Sequence, residues 1–259
     1  MSSPDVSAGS DIISMISFRG VSERYAHPGF GDILVEISKQ TDADNAGIAV
    51  AVSAGNIVEV FFDCSSPWTY LAFDNIIKLE QEFRFKIVWR PILVGAVFNA
   101  INPSVYQARS NPIAPKEAYL QKDLEDWCVL SGLSIRFPPS VFPVNSARAM
   151  RACIVADGLG LLPEFARAVF VAYWRDDLDI SDVDNLRMLC EAVGIEPERF
   201  FGEANSAIIR ATLKHNVEEL IARGGFGSPT MFVNGNDMYF GNDRMTLVRR
   251  ALTSPRSSS

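Results

Sequence analysis

Histidine is almost missing from this chain, with two in 259 residues, His27 and His215. No multi-histidine metal site can be built from two, and a Ser-His-Asp or Cys-His catalytic group would have to use one of them. No metal is therefore expected. Cysteine is sparse too. The four, Cys64, Cys128, Cys153 and Cys190, lie far apart and form no CxxC. That spacing gives neither a zinc knuckle nor a disulfide framework, and free thiols suit a reducing cytosol. No GxSxG, complete GxGxxG or GxxxxGK[ST] occurs, so hydrolase-elbow, dinucleotide and P-loop readings have no support. Positive charge is in deficit: 24 Lys and Arg against 31 Asp and Glu give a net charge of −7. Nucleic acid and anionic membranes both need a basic face, so neither is an expected partner. No apolar run is long enough to span a bilayer, and the first basic residue is Arg19, too late for the basic start of a signal peptide. A cytoplasmic protein is expected.

What the chain does contain is ordinary for a globular protein: 48% hydrophobic and 21% charged residues. Its length fits one core-bearing domain with an insertion, or two domains. Residues 1–55 are polar and turn-rich, as in "MSSPDVSAGSD" and "SKQTDADNAG", and read as a partly disordered N-terminal extension. Residues 254–259 read as a loose tail. Strand signals begin with "IVEVFFD". A helix follows in "PWTYLAFDNIIKLEQEF", where Leu71, Ile76, Ile77 and Leu79 supply much of an apolar face. In "FRFKIVWRP", Phe83, Phe85, Ile87 and Trp89 alternate with polar or smaller residues, which predicts a half-buried strand ending at Pro91. Helical periodicity then runs through about 95 to 222, with caps in front of several segments and glycines behind. "PTMFV" and "MYF" flank "NGND", a hairpin signal, and "DRMTLVRRAL" closes as a helix. The predicted class is α/β: a thioredoxin-like domain, βαβ…ββα, built from 56–94 and 223–253, with a large all-helical insertion over 95–222.

In such a domain the reactive group sits where the first strand meets the first helix. The free N–H groups and the positive end of the helix dipole favour an anionic sulfur there. Here that junction reads "FFDCSSPWTYLAF". Ser66-Pro67-Trp68-Thr69 stands where redox members carry Cys-x-x-Cys, so no thiol–disulfide cycle can run through it. A serine at this position can donate a hydrogen bond to a thiolate brought from outside, with glutathione the obvious source. It can equally be an N-cap with Pro67 at the first helical position. Cys64, two residues earlier, fits a small buried hydrophobe at a strand end, with a peroxide-reactive or resolving role as the alternative.

Six stretches, "VEVFFDCSSPWTYLAF", "WRPILVGAVFNA", "PKEAYLQKDLEDW", "FPVNSARAMRA", "GGFGSPTMFV" and "MYFGNDRM", occur in order over about residues 57 to 252. Together they resemble the 2-hydroxychromene-2-carboxylate isomerases, relatives of the kappa-class glutathione transferases in the DsbA-like branch of the thioredoxin fold. The resemblance implies that Ser66 stabilises the glutathione thiolate, with the aromatic Trp68 beside the sulfur. It implies that Asn111 and Lys116 lie near glutathione, although extra residues in "NAINPSVYQARSNP" leave Asn102 as the alternative to Asn111. Ser228-Pro229 matches the residue before the thioredoxin cis-proline and the proline itself. In the family, the backbone of that preceding residue pairs with the cysteinyl part of glutathione in the manner of an added strand, and the resemblance implies the same for Ser228. Gly241, Asn242 and Asp243 match the segment that holds the γ-glutamyl end. The family often has an aliphatic residue where Ser228 stands.

Read from the residues alone, alternatives stay open. Asn242 and Asp243 open a helix, so they are a cap and a dipole-matched acid, or they bind the γ-glutamyl group. Lys116 is a solvated helix lysine or a ligand contact. Asn145 caps the next helix or reaches a substrate pocket. Tyr119 and Trp127 are read as packing, and His215 as a helix-surface histidine. The function implied is glutathione-dependent isomerisation of 2-hydroxychromene-2-carboxylate and trans-o-hydroxybenzylidenepyruvate, or a related aromatic ring-cleavage product from naphthalene-type catabolism. The substrate class is then a small aromatic carboxylate, the cofactor glutathione and the assembly a homodimer. The alternatives are a kappa-class transferase that conjugates glutathione to electrophiles, and a thioredoxin-fold binding protein without catalysis.

Overall fold

The computed structural model describes residues 55–253. Nearly all of the expected N-terminal extension, residues 1–54, and the expected tail, 254–259, lie outside the described residues. The centre is a four-stranded mixed sheet. Strand β1 (Ile57–Phe62) pairs in parallel with β2 (Lys86–Pro91) and antiparallel with β3 (Thr230–Val233), which pairs antiparallel with β4 (Asp237–Phe240). The spatial order is β2-β1-β3-β4. Helix α1 (Pro67–Phe83) connects the two parallel strands, as a parallel pair requires.

The period of two along β1 sorts the core. Val58, Val60 and Phe62 point to one face, into the large cluster with Phe73 and Ile76 of α1, Met150 of α5 (Ala147–Gly158) and Phe170 of α6 (Leu162–Trp174). Helix α10 (Met245–Thr253) adds Val248 and Leu252 to it. Phe61 points the other way and joins Phe232 of β3, Val97 of α2 (Val94–Ile101), and Val217 and Leu220 of α9 (Ala207–Ala222). Both faces of β1 are covered by helices, as a parallel strand pair demands. Each fully buried Phe or Leu there contributes about 1.5–3 kcal/mol relative to exposure.

Eight described helices lie between β2 and β3. Besides those named they are α3 (Ser104–Ser110), α4 (Ala114–Ser131), α7 (Val183–Ala192) and α8 (Pro197–Ala204). With the strand order, this is the thioredoxin arrangement carrying inserted helices. Two local expectations are corrected. The strand predicted from Phe83 begins only at Lys86: Phe83 is the last residue of α1, and Arg84 takes a left-handed conformation (φ 50°) that caps the helix by donating to the Glu80 carbonyl. Tyr119, read as packing, is 65% exposed on the outer side of α4. His215 does lie on a helix surface, in α9, with its side chain 71% exposed. No helix among the described residues is long and apolar enough to cross a membrane.

Candidate functional site

β1 stops because its next residues turn back on themselves. The Asp63 carboxylate accepts the N–H of Ser65 through Oδ1 (2.9 Å) and the N–H of Val94 through Oδ2 (2.8 Å), so one buried carboxyl pins the turn to the start of α2. Burial raises its pKa, opposed by those two backbone donors. Ser66 then has extended backbone (φ −111°, ψ 124°) and caps α1, its Oγ accepting the Thr69 N–H at 3.2 Å, with Pro67 at the first helical position. The same hydroxyl donates to the Ser228 carbonyl at 3.3 Å. Ser66 is thus both the cap and a polar hydrogen at the positive end of a 17-residue helix.

Ser228 is buried, and the Ser228–Pro229 peptide is cis. Its Oγ accepts the Asp63 N–H at 3.0 Å and lies 2.8 Å from the Thr69 hydroxyl. This hydroxyl therefore ties the end of β1, the first turn of α1 and the entry to β3 together. Asp63 was not singled out in the sequence, although the Asp-x-Ser spacing in "FFDCSS" is a turn signal that could have found it. Thr69 stands out there only as the hydroxyl in the second cysteine position; its bond to Ser228 has no local signal.

Cys64 faces away from the site. It is fully buried, its N–H donates to Met150 Sδ (3.3 Å), and its carbonyl accepts from Trp174 Nε1 (2.9 Å). Burial, then a bond with Cys153, hold its thiol well above the ordinary value, the state of an inert structural cysteine.

Ser66, Trp68 and Ser228 line one cavity of about 830 Å³, together with Asn111 and Lys116. Asn102 lines it as well, so both candidate asparagines reach the same space. Asn102 also donates to the Phe226 carbonyl (3.3 Å), and Asn111 follows the last turn of α3. Phe98, Phe137, Phe142 and Phe240 give the cavity largely apolar walls. A smaller cavity of about 330 Å³ adjoins it, reaching Asp63, Tyr106, Asn145 and Ser146. Asn145 lines only this smaller one, while its Oδ1 accepts the Ala147 N–H (3.1 Å) at the start of α5. Asn145 precedes the cap position, Ser146, so it supports the start of α5 from just outside the helix while bordering the smaller cavity.

The remaining candidates do not line either cavity. Pro229 accepts the Gly241 N–H at 3.1 Å, which keeps the 241–243 segment beside the cis peptide. Gly241 has φ 101°, and a Cβ there would come within 2.7 Å of the Asp243 carboxylate. Asn242 is buried; its Oδ1 accepts from Asn75 Nδ2 (2.9 Å), and its own Nδ2 has no hydrogen-bond partner. Asp243 is about half exposed and paired with Arg244. A larger hollow of about 1050 Å³, bordered by Glu59, Arg90 and Tyr239, contains none of these residues. We rank the cavity at Ser66 above it on chemistry rather than on size. Among the described residues no group of three or more His, Cys, Asp and Glu side chains could hold a metal ion.

Comparison with known proteins agrees with the fold. The family model for the DSBA-like thioredoxin domain matches residues 57–253. The 2-hydroxychromene-2-carboxylate isomerase of Pseudomonas putida is 31% identical over 204 residues, covering 76% of this chain and 94% of that one. Glutathione S-transferase kappa 2 of Caenorhabditis elegans is 26% identical over 226 residues, covering 77% and 92%. A solved 2-hydroxychromene-2-carboxylate isomerase superposes with a TM-score of 0.66 at 27% identity, covering 76% of this chain and 94% of its own.

Proposed function

The chain belongs to the DSBA-like thioredoxin family and, within it, to the 2-hydroxychromene-2-carboxylate isomerases, and from that premise we propose that it is a glutathione-dependent isomerase. Its substrate is 2-hydroxychromene-2-carboxylate, interconverted with trans-o-hydroxybenzylidenepyruvate, or a related aromatic ring-cleavage product. The observation that carries this reading is the hydroxyl of Ser66. It stands at the head of α1 where a redox enzyme needs sulfur, and it opens on a mostly apolar cavity of a size that suits a small ligand.

The residues present fit glutathione. The single O–H of Ser66, which donates to the Ser228 carbonyl in the structure, would turn from it to a bound thiolate, reinforced by the helix terminus. The Ser228 backbone supplies strand-like pairing for a peptide. Lys116, with Asn111 or Asn102, supplies polar contacts within the same cavity. The Gly241–Asp243 segment, which lines neither cavity but is held beside the cis peptide by the Gly241–Pro229 bond, is assigned to the γ-glutamyl end, with the exposed Asp243 carboxylate as partner for its ammonium. Held there, glutathione would supply a thiolate nucleophile for reversible addition to the conjugated double bond, chemistry that permits cis–trans isomerisation without consuming the thiol. Ser66 keeps the sulfur anionic, and Trp68 and the phenylalanine walls cover a planar ring and exclude water. On the same footing we assign the chain to the cytoplasm as a homodimer; its four free thiols fit a reducing compartment.

The test is turnover of 2-hydroxychromene-2-carboxylate followed by ultraviolet absorbance, with and without glutathione, in wild type and Ser66→Ala. The expected result is a glutathione requirement with the added thiol conserved. Loss of one donor to a reacting anion should lower kcat about 10²- to 10³-fold in the variant. The similarity to a kappa-class transferase supports a second reading, conjugation to electrophiles; thiol that disappears against a generic electrophile while the chromene stays untouched would select it. No effect of glutathione in either assay would leave a thioredoxin-fold binding protein.

A further inference from the structure

Two cations line the pair of cavities at Ser66. Lys116 borders only the larger one, whereas Arg109 borders both. Arg109 lies on α3, in the last turn. No carboxylate among the described residues forms an ion pair with it. Its guanidinium carbon sits 5.4 Å from the centre of the Phe142 ring, the arrangement of a cation–π contact. Phe142 is itself fixed. It meets Phe137 edge-on at 5.4 Å, and Phe137 stacks on the fully buried Trp174, whose indole N–H holds the Cys64 carbonyl just before Ser66. A chain of packed rings therefore connects the arginine to the turn that carries the reactive hydroxyl. Phe98 and Phe142 wall both compartments and offer flat apolar surface beside the guanidinium.

A planar guanidinium without a carboxylate partner, held against an aromatic wall, suits a bidentate carboxylate on a planar ligand. We propose that Arg109 binds the carboxylate of the acceptor and makes this chain selective for anionic aromatic acceptors over neutral ones. For the identity of the acceptor this rests on the isomerase reading. Arg109 acts as a specificity residue: Ser66 handles the sulfur and Arg109 fixes the other end of the substrate.

The experiment is binding, separate from turnover. Titration calorimetry is run on the full chain, with glutathione present, using chromone-2-carboxylate, a planar unreactive analogue, and its neutral carboxamide. Wild type should bind the carboxylate about ten- to a hundredfold more tightly, the range for a charge-assisted hydrogen bond. Arg109→Gln should erase that preference, and Arg109→Lys should keep part of it, because a lysine provides charge without the fork. Lys116→Gln, titrated at a glutathione concentration that restores full occupancy, should leave the ratio of the two affinities in place. Helix α3 buries no side chain, so Arg109→Gln should melt like wild type. A preference that survives Arg109→Gln, disappears with Lys116→Gln, or is missing from wild type overturns the proposal. Failure of the isomerase reading looks different: the Arg109-dependent preference is present while wild type turns nothing over.

Discussion

Ser228 shows how one side chain can be decided by partners far away in sequence. Its hydroxyl serves the Asp63 N–H and the Thr69 hydroxyl, 165 and 159 residues distant. An aliphatic residue at this place would leave both without a buried partner. Ser228→Ala should therefore cost about 1–3 kcal/mol in denaturant unfolding, and a double-mutant cycle with Thr69→Val should show that the two losses are not additive. Additive losses would mean that the two hydroxyls do not act as a pair. The same distance explains what the sequence could not tell. Ser66, Pro67 and Cys64 were legible because capping, the first helical position and strand-end burial are local rules. The work of Ser228's side chain was not, because it exists only once β3 lies beside β1. Asn242 was ambiguous for a similar reason: its partner is Asn75, on another helix.

Glu59 binds three elements together. It lies on the β1 face that otherwise carries apolar residues, and it accepts from Arg90 of β2 (3.1 Å) and from Arg223 at the end of α9 (2.8 Å). The Arg223 guanidinium carbon also lies over Phe232, 3.7 Å from the ring centre. Desolvation raises the Glu59 pKa, but the bonds from Arg223 and Arg90 outweigh it and hold the carboxyl below its ordinary value. A depressed pKa contributes stability above the unfolded value that is lost as pH falls through the folded one. Glu59→Gln should thus cost about 1–3 kcal/mol at neutral pH, and the gap to wild type should close on acidification below the usual carboxylate range. A gap independent of pH would assign the loss to packing. The elements themselves were legible where caps and period agreed, as in α7 to α9. Helix α2 escaped individual notice because "VGAVFNAI" is short and apolar on nearly every side, and α3 because it buries nothing. The start of β2 was misread because Phe83 satisfies two periods at once, four residues after Leu79 on a helix and two before Phe85 on a strand.

At the scale of the whole molecule, the four thiols report on the integrity of the core. Cys64, Cys153 and Cys190 are buried, and burial drives the Cys190 pKa to about 12; only Cys128 is partly exposed. Native protein should therefore expose at most one thiol to an aromatic disulfide reagent within minutes at pH 8, and all four in denaturant. Fast reaction of two or more in the native state would contradict the packing described. The candidate site depends on the same completeness. It draws Ser66 from the first helix, Asn102 to Lys116 from the insertion, and Ser228 from the stretch leading into the third strand. The bond from Ser66 to Ser228 spans 162 residues. A chain still emerging from the ribosome has its serine early but receives the carbonyl that orients it only near the end of synthesis. Competence thus comes with the final strands, and no partly made chain can carry it.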